Sequence, residues 1–342
     1  MQQQRLQIDF VLQKQHLVPS HHEVHETLYM PSHTEFVIEV LCRLGFKAGL
    51  SLGIDDFAQA GFLYNQSPSE VLVVCGVDQH LRTKFEAGWQ QVTKHYQRKV
   101  LLVSEPIFSP LAYALNATEN AACSHERFLH AFQPDIVMYL SAYDVQVARQ
   151  RYPQQLSLLY SLADADLFQG PVTPWEHKAQ ALLWLGKRDA WDYSLRRQQH
   201  PEAWTRTQQM TYFAQQQHIP FRGFLQQFTF RECYQVADQY RFQLQPLSGF
   251  AFHSARAVQA ALVGSIPILL LRPEDQELLA VEAPFAHHGR NCLIALEGHY
   301  DALLQSLRDT EQMAAIAQQG QELLQAGTIQ SCLHQLGLAL LK

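Results

Sequence analysis

The stretch from 246 to 271, PLSGFAFHSARAVQAALVGSIPILLL, contains residue types that bind phosphate groups. A loop with Gly249 leads into a helix that begins near Ser254, and a helix N-terminus offers free backbone N–H groups and the positive end of the helix dipole. Arg256 can add a bidentate hydrogen-bonded contact to a diphosphate, and Ser254 can cap the helix or donate a hydrogen bond to the ligand. The spacing also fits an ordinary loop–helix–strand unit, in which Ser254 only caps and Arg256 is solvated.

The same stretch resembles the donor-binding signature G-x-x-x-x-S-x-R-x-x-E-A-x-x-x-G-x-x-P of GT-B glycosyltransferases, especially of the CgeB-like and exostosin-like families. The matching residues are Gly249, Ser254, Arg256, Ala260, Gly264 and Pro267. The resemblance covers 156–325 well and the N-terminal half in outline. It implies that a nucleotide-sugar donor is bound by Gly249, Phe250, Ser254, Arg256 and Gln259.

Gln259 departs from the family pattern, since these families have a glutamate there that contacts the ribose or sugar of the donor. An amide keeps a carbonyl acceptor and adds an NH₂ donor, so a hydrogen bond to a hydroxyl survives while the negative charge is lost. Donor binding is therefore expected, whereas turnover depends on whether the family needs the charge or only the acceptor.

A second donor contact is implied by the stretch 181–198, ALLWLGKRDAWDYSLRRQ, which resembles the strand–glycine–basic start of the C-terminal domain in these families. The resemblance places a diphosphate contact at Gly186, Lys187 and Arg188, where two cations offset the charge of the diphosphate without a metal. The alternative is two solvated surface cations. GT-B enzymes generally need no metal, so the expected requirement is a nucleotide-diphosphate sugar as co-substrate and no cofactor.

A general base needs a carboxylate or imidazole on a loop at the end of a strand. Glu105 ends the strand-like run KVLLVSEP, and a Glu-x-Pro or Glu-Asp-Pro tripeptide occupies the corresponding place in many CgeB-like proteins, so Glu105 is the predicted catalytic residue. Other strand-end candidates are Asp55, Asp56, Asp78 and His80. Each of them, like Glu105, could instead be a helix cap or a solvated turn residue, because strand-end loops are commonly polar.

Two sequence patterns suggest metal ligands. The run HHEVHETLYMPSH (21–33) is one residue short of the zinc motif H-E-x-x-H, and clustering by chance is expected in a chain with 17 histidines. Asp164 and Asp166 have the form Asp-x-Asp but lie in a polar, proline-containing segment that reads as a linker. The sequence analysis therefore predicts no metal site.

These residues must be positioned by elements that alternate along the chain between short apolar strands and amphipathic helices. The predicted strands are 6–12, 48–52, 70–76, 99–106, 134–141, 156–163, 181–186, 219–225, 241–246, 265–271 and 291–296. The predicted helices are 35–44, 81–96, 124–132, 203–217, 228–240, 254–263 and a helical tail from 301 that turns at 309–311. Strands that alternate with helices at this spacing indicate βαβ units and parallel, doubly wound sheets.

A polar segment with two prolines, DADLFQGPVTPWE (164–176), marks the expected domain boundary. We predict an acceptor-side α/β domain over 1–170 and a nucleotide-sugar-binding α/β domain over 171–342, with a C-terminal helix that could return to the first domain. The predicted fold class is α/β with two Rossmann-like doubly wound domains that face a cleft, as in GT-B enzymes. Ligands of such sheets lie beyond the carboxyl ends of the strands.

The composition fits this architecture. With 342 residues and 47% hydrophobic residues the chain can bury two cores, and its net charge of -6 argues against general nucleic-acid binding. No apolar run is long enough to span a membrane, and the N-terminus lacks the pattern of a secretory signal. Six widely spaced cysteines favour reduced thiols and a cytoplasmic location.

The function that the resemblance implies is metal-independent transfer of a sugar from a nucleotide-diphosphate donor to an unidentified acceptor. A catalytically degenerate relative that binds nucleotide or glycan, or that acts as a scaffold, is the alternative. A sugar-nucleotide isomerase on the same double-domain fold is a third reading. Activity on a panel of nucleotide sugars, measured with and without acceptor, separates the first from the other two.

Overall fold

The architecture comes from a computed structural model of the 342-residue chain. The structure describes residues 6–12, 41–42, 44–53, 69–75, 93–103, 107–109, 121–139, 141–159, 171–185, 204–224, 230–246, 255–273, 276–283, 286–325 and 331–341. Within these ranges, no helix has both the length and the hydropathy needed to cross a bilayer.

The first sheet is parallel throughout, and its six strands are arranged in the order β2-β1-β3-β4-β5-β6. They are β1 (Gln7–Leu12), β2 (Lys47–Gly53), β3 (Val71–Cys75), β4 (Arg98–Val103), β5 (Ile136–Tyr139) and β6 (Leu156–Leu159). Because β2 and β3 lie on opposite sides of β1, the winding direction reverses between β1 and β3, which defines a topological switch point.

The second sheet is also parallel, and its five strands are arranged in the order β11-β10-β9-β7-β8. They are β7 (Ala179–Leu185), β8 (Phe221–Phe224), β9 (Tyr240–Pro246), β10 (Ile266–Leu271) and β11 (Leu293–Leu296). Here β8 and β9 flank β7, so the switch point lies between β7 and β9.

The helices in the described part of the chain connect these strands or follow them. They are α1 (Ala121–Phe132), α2 (Ala142–Arg151), α3 (Arg206–Ala214), α4 (Phe230–Ala237), α5 (Ala255–Leu262), α6 (Gln276–Glu282), α7 (Tyr300–Ser306), α8 (Thr310–Gln325) and α9 (Ser331–Leu340). The continuous apolar strands are buried on both faces, as in β10, where all six residues are buried. Helix α5 packs on β9 and β10, with Val258 and Ala261 in one apolar cluster with Leu183 of β7.

All eleven predicted strands are present, and the predicted two-sheet α/β fold class is confirmed. The predicted helices at 35–44 and 81–96 lie mostly outside the described residues. Two described helices, α2 and α6, were not predicted. Both are short, and α2 is largely polar, so their apolar periodicity is too weak to be recognised in sequence.

The contacts divide the chain into two compact units. The described residues up to Leu159 form the first unit, together with those from Cys332 onward, and residues 171–331 supply the described part of the second. The predicted boundary at 170/171 falls between β6 and β7 and stays a prediction. The predicted second domain extends to residue 342, whereas α9 packs in the first unit, where Gly337 lies beside Leu44 and Phe46.

Candidate functional site

The candidate donor site lies at the carboxyl end of the second sheet, at its switch point. Strands β7 and β9 are hydrogen-bonded neighbours, with Leu183 opposite Gln243 and Trp184 opposite Leu244. The chain leaves β7 through 186–188 and leaves β9 through 247–254. The topology therefore brings the starts of both predicted donor segments to one place in the sheet, where ligands of doubly wound folds bind.

Helix α5 begins directly after the second of these segments. The chain passes from the carboxyl end of β9 into Ala255, so the N-terminal end of α5 is the end that follows the switch point. A helix in this orientation directs free N–H groups and partial positive charge to that edge of the sheet. Arg256 lies in the first turn of α5, as the sequence predicts.

The far end of α5 is fixed by several contacts. Gly264 has a positive φ of 71°, and the N–H group of Ser265 donates to the carbonyl of Ala260. The hydroxyl of Ser265 bonds to the carbonyls of Ala237 (2.8 Å) and Tyr240 (2.6 Å). The Gln321 side chain donates to the carbonyl of Leu262. These contacts, with the packing of α5 on β9 and β10, give the helix a defined position.

Gln259 is buried, one turn into α5, with 1% of its surface exposed. Its side-chain carbonyl oxygen Oε1 is buried and has no hydrogen-bond partner among the residues that the structure describes. Leaving a buried acceptor unpaired costs about 1–3 kcal/mol, so such a group needs an explanation such as a water or a ligand. A ligand hydroxyl that donates to Oε1 would remove this cost.

Gln243 is a second buried amide on the sheet face that α5 covers. Its sheet neighbours are Leu183 and Pro267, and Leu183 packs with Val258 and Ala261 of α5. Both polar atoms of the Gln243 side chain are buried, and neither has a hydrogen-bond partner in the described ranges. The strand beneath α5 is therefore polar but uncharged at this position.

Most of the remaining predicted site residues lie outside the described residues. They are Glu105, Gly186, Lys187, Arg188, Gly249, Phe250 and Ser254. For Arg256, the structure describes the position of the backbone in α5. The roles assigned to these residues stay predictions, as do those of Asp55, Asp56, Asp78 and His80.

Asp144 in the first unit is a polar residue that the sequence analysis missed. Its carboxylate accepts hydrogen bonds from three consecutive backbone N–H groups, those of Ile107, Phe108 and Ser109, at 2.5, 2.9 and 2.7 Å. These residues follow β4 at its carboxyl end, four to six positions after Val103. The pattern Ser141-x-x-Asp144 is a helix-start signature that could have revealed both α2 and its carboxylate.

His125 and Tyr139 form a buried pair near this turn. A ring nitrogen of His125, Nε2, lies 3.0 Å from the Tyr139 hydroxyl, and the ring of Phe108 meets His125 edge-on with centroids 5.8 Å apart. Burial, and secondarily the charge of Asp144, raises the pKa of Tyr139 far above its usual value. Tyr139 therefore remains protonated at any physiological pH.

The described residues contain no cluster of three or more His, Cys, Asp or Glu side chains placed to hold a metal ion. The histidine run 21–33 and the pair Asp164 and Asp166 lie outside the described residues. The prediction that no metal is bound therefore stays a prediction.

Comparison with solved structures resolves the fold. The chain superimposes over 98% of its length on 98% of sucrose-phosphate synthase (tll1590) from Thermosynechococcus elongatus, with a TM-score of 0.61 and 11% identity. It also matches Anabaena Alr3699/HepE in complex with UDP-glucose, with a TM-score of 0.58, 12% identity and 98% and 99% of the two chains covered. The chain has the GT-B fold. Its two parallel sheets are the two Rossmann-like halves of that fold.

A third GT-B structure, a glycosyltransferase from Rickettsia africae ESF-5, matches with a TM-score of 0.56 and 10% identity over 97% of both chains. No protein-family model and no curated protein matches the chain. At these identities the likeness establishes the fold. The closer resemblance to CgeB-like and exostosin-like enzymes stays a prediction from the sequence motif.

Proposed function

We propose that this GT-B protein is a glycosyltransferase that moves a sugar from a nucleotide-diphosphate donor to an acceptor without a metal ion or further cofactor. The observation that carries the proposal is Gln259 Oε1, a buried acceptor one turn into the helix that follows the switch point, for which the described part of the chain offers no hydrogen-bond partner. A donor hydroxyl satisfies this oxygen, and the N-terminal end of α5 attracts the diphosphate of the same molecule.

The structural relatives support a nucleotide-sugar ligand. Anabaena Alr3699/HepE was solved with UDP-glucose and also with UDP and glucose, the latter matching with a TM-score of 0.56 and 13% identity. We therefore propose a uridine or other nucleoside diphosphate sugar as the donor for this chain. Lys187 and Arg188, which follow Gly186 after β7, would contact its phosphates, as would Ser254 and Arg256.

The proposed chemistry is charge stabilisation of the leaving group. As the bond between the anomeric carbon and the diphosphate oxygen breaks, the electron pair leaves with the nucleoside diphosphate. The helix N-terminus and the cations Lys187, Arg188 and Arg256 stabilise the charge that develops. The acceptor oxygen forms the new bond to the anomeric carbon, and in an inverting transfer Glu105 takes its proton. In the proposed site, Gly249 and Phe250 also bind the donor.

The donor site is tested by calorimetry with UDP-glucose, GDP-mannose and other nucleotide sugars on the wild type and on Arg256→Ala. Loss of a charge-assisted phosphate contact costs roughly 1.5–3 kcal/mol, so we expect donor affinity to fall about ten- to a hundredfold. Arg222→Ala, which changes an exposed arginine on β8, is the matched control and should leave affinity unchanged. An unchanged dissociation constant in Arg256→Ala would remove Arg256 from the site.

A further inference from the structure

We propose that Asp144 is a positioning residue for catalysis, because it holds the turn Ile107–Ser109 and thereby sets the place of Glu105. The inference rests on the proposed function, in which Glu105 is the general base. It adds a residue on a different element that touches neither the donor nor the acceptor and acts only through the loop that follows β4.

The turn Ile107–Ser109 is held by hydrogen bonds from its backbone to the Asp144 carboxylate. Three successive backbone N–H groups converge on one carboxylate, with Ile107 donating to Oδ2, and Phe108 and Ser109 donating to Oδ1. Asp144 is 1% exposed, so water competes little for these bonds. Hydrogen bonds from N–H groups to an ionised acceptor are about twice as strong as neutral ones. The carboxylate therefore fixes the backbone of the whole turn.

Asp144 itself is attached to a rigid support. It is the third residue of α2, and its own N–H group donates to the hydroxyl of Ser141, which caps the helix, at 3.1 Å. Val145 and Ala148 of the same helix are buried in the core of the first unit. An aspartate at this helix position needs only one oxygen to cap its own helix, whereas here both oxygens accept from the turn. Both carboxylate oxygens therefore contact the turn, while the backbone of Asp144 is held in α2.

The side chain of Phe108 gives the turn a second set of contacts. The guanidinium of Arg151 lies 4.9 Å from the centre of the Phe108 ring, and the buried His125 meets the same ring edge-on. The Asp144 carboxylate therefore orients the backbone of the turn, while the Phe108 ring is held by Arg151 and His125. Replacing the carboxylate should loosen the backbone of the turn and leave the surrounding core in place.

In the sequence, Glu105 lies two residues after Val103, where β4 ends, and two residues before Ile107, where the turn begins. Because each residue spans at most about 3.3–3.6 Å, a displacement of the turn is transmitted over only two residues of chain to Glu105. A general base must lie within hydrogen-bond reach of the proton that it removes, and a misplacement of about 1 Å can cost on the order of a hundredfold in rate. Release of the turn should therefore lower the rate of the chemical step.

The test compares wild type, Asp144→Asn, Glu105→Gln and the double variant, all as full-length protein. Nucleoside diphosphate release from UDP-glucose and GDP-mannose gives kcat, calorimetry gives donor affinity, and hydrogen exchange reports the amides of Ile107–Ser109. Asp135→Asn is the matched control, since its carboxylate accepts from the Lys99 N–H group at the opposite end of β4. That control should match the wild type in all three measurements.

We expect Asp144→Asn to lower kcat roughly 10- to 100-fold with donor affinity within about twofold of wild type. Exchange of the three turn amides should accelerate at least about tenfold, and the double variant should be no slower than Glu105→Gln alone, because both changes act through one residue. Asp144→Glu, which keeps the charge, should exceed Asp144→Asn in kcat and serves as the second variant if Asp144→Asn fails to fold.

Three outcomes overturn the inference. They are a kcat for Asp144→Asn within twofold of wild type, unchanged exchange at the turn, and a double variant that multiplies the two single losses. An active wild type with an unaffected Asp144→Asn refutes the positioning role alone. A wild type that releases no nucleoside diphosphate from any donor refutes the proposed function together with this inference.

Discussion

At the scale of single residues, the account depends on what Gln259 can do in place of a glutamate. The amide is buried at the first turns of α5, and no described residue pairs with its Oε1. A neutral acceptor in a dry site can still receive a hydrogen bond from a donor hydroxyl. In the proposed site, Gln259 would therefore orient the donor without the charge that the family signature has at this position.

The variant Gln259→Glu tests this reading. An ionised acceptor is stronger than a neutral one by about 1 kcal/mol, so we expect kcat for donor hydrolysis to change less than about tenfold. Gln209→Glu, the same change at a buried amide that bonds to the Tyr300 hydroxyl, controls for burying a carboxyl group elsewhere in the second unit. A gain above about a hundredfold would show that the reaction needs the charge and that the native chain is nearly inert.

Sequence alone located this residue because its spacing from Gly249, Ser254 and Arg256 matches a family signature. It could not show that the Gln259 oxygen is buried, since burial depends on how α5 packs on β9 and β10. Asp144 was missed for a related reason. Its partners are backbone N–H groups 35–37 residues away in sequence, and only the folded chain brings them to the carboxylate.

At the scale of elements, the strands were predictable and some helices were not. A strand buried on both faces, such as β10 with its run IPILLL, is a continuous apolar run that sequence shows directly. Helix α2 has the sequence AYDVQVARQR, in which Asp144, Val145 and Ala148 are buried. Because that stripe contains one carboxylate and two small or medium apolar residues, its helical periodicity is weak.

The packing of helix α8 allows a prediction at this scale. A Cβ atom on Gly320 would lie 2.9 Å from the backbone carbonyl oxygen of Asn291, so α8 passes close to the chain before β11. Gly320→Ala should therefore destabilise the protein by about 1–3 kcal/mol, because backbone must move to admit the methyl group. Urea unfolding measures this loss. Gln319→Ala, at the exposed neighbouring position, should stay within about 0.5 kcal/mol of wild type, and an equally small effect of Gly320→Ala would contradict the close approach.

At the scale of the whole molecule, the chain forms two compact units, and its C-terminal helix returns to the first of them. Leu336 of α9 is fully buried, whereas Leu338 of the same helix is 51% exposed. The composition of the helix does not reveal which unit it joins, because an apolar stripe fits any complementary apolar surface. The predicted C-terminal domain therefore ran to residue 342.

Leu336→Ala should cost about 2–5 kcal/mol and act on the first unit. Hydrogen exchange should accelerate in β1 to β6 and stay unchanged in β7 to β11. Leu338→Ala, a change of the same size at an exposed position of α9, should alter neither. Acceleration confined to the second sheet in Leu336→Ala would contradict the grouping of α9 with the first unit.

The central claim, that the chain transfers a sugar from a nucleotide-diphosphate donor, is tested most directly by measuring nucleoside diphosphate release from a panel of nucleotide sugars. The account predicts release from at least one donor by the purified wild type with no added metal ion and with a chelator present. The same donor should bind more weakly to Arg256→Ala. Binding of a donor without release from any donor, with or without sugar acceptors, would contradict the claim and identify the chain as a catalytically inactive nucleotide-sugar-binding protein.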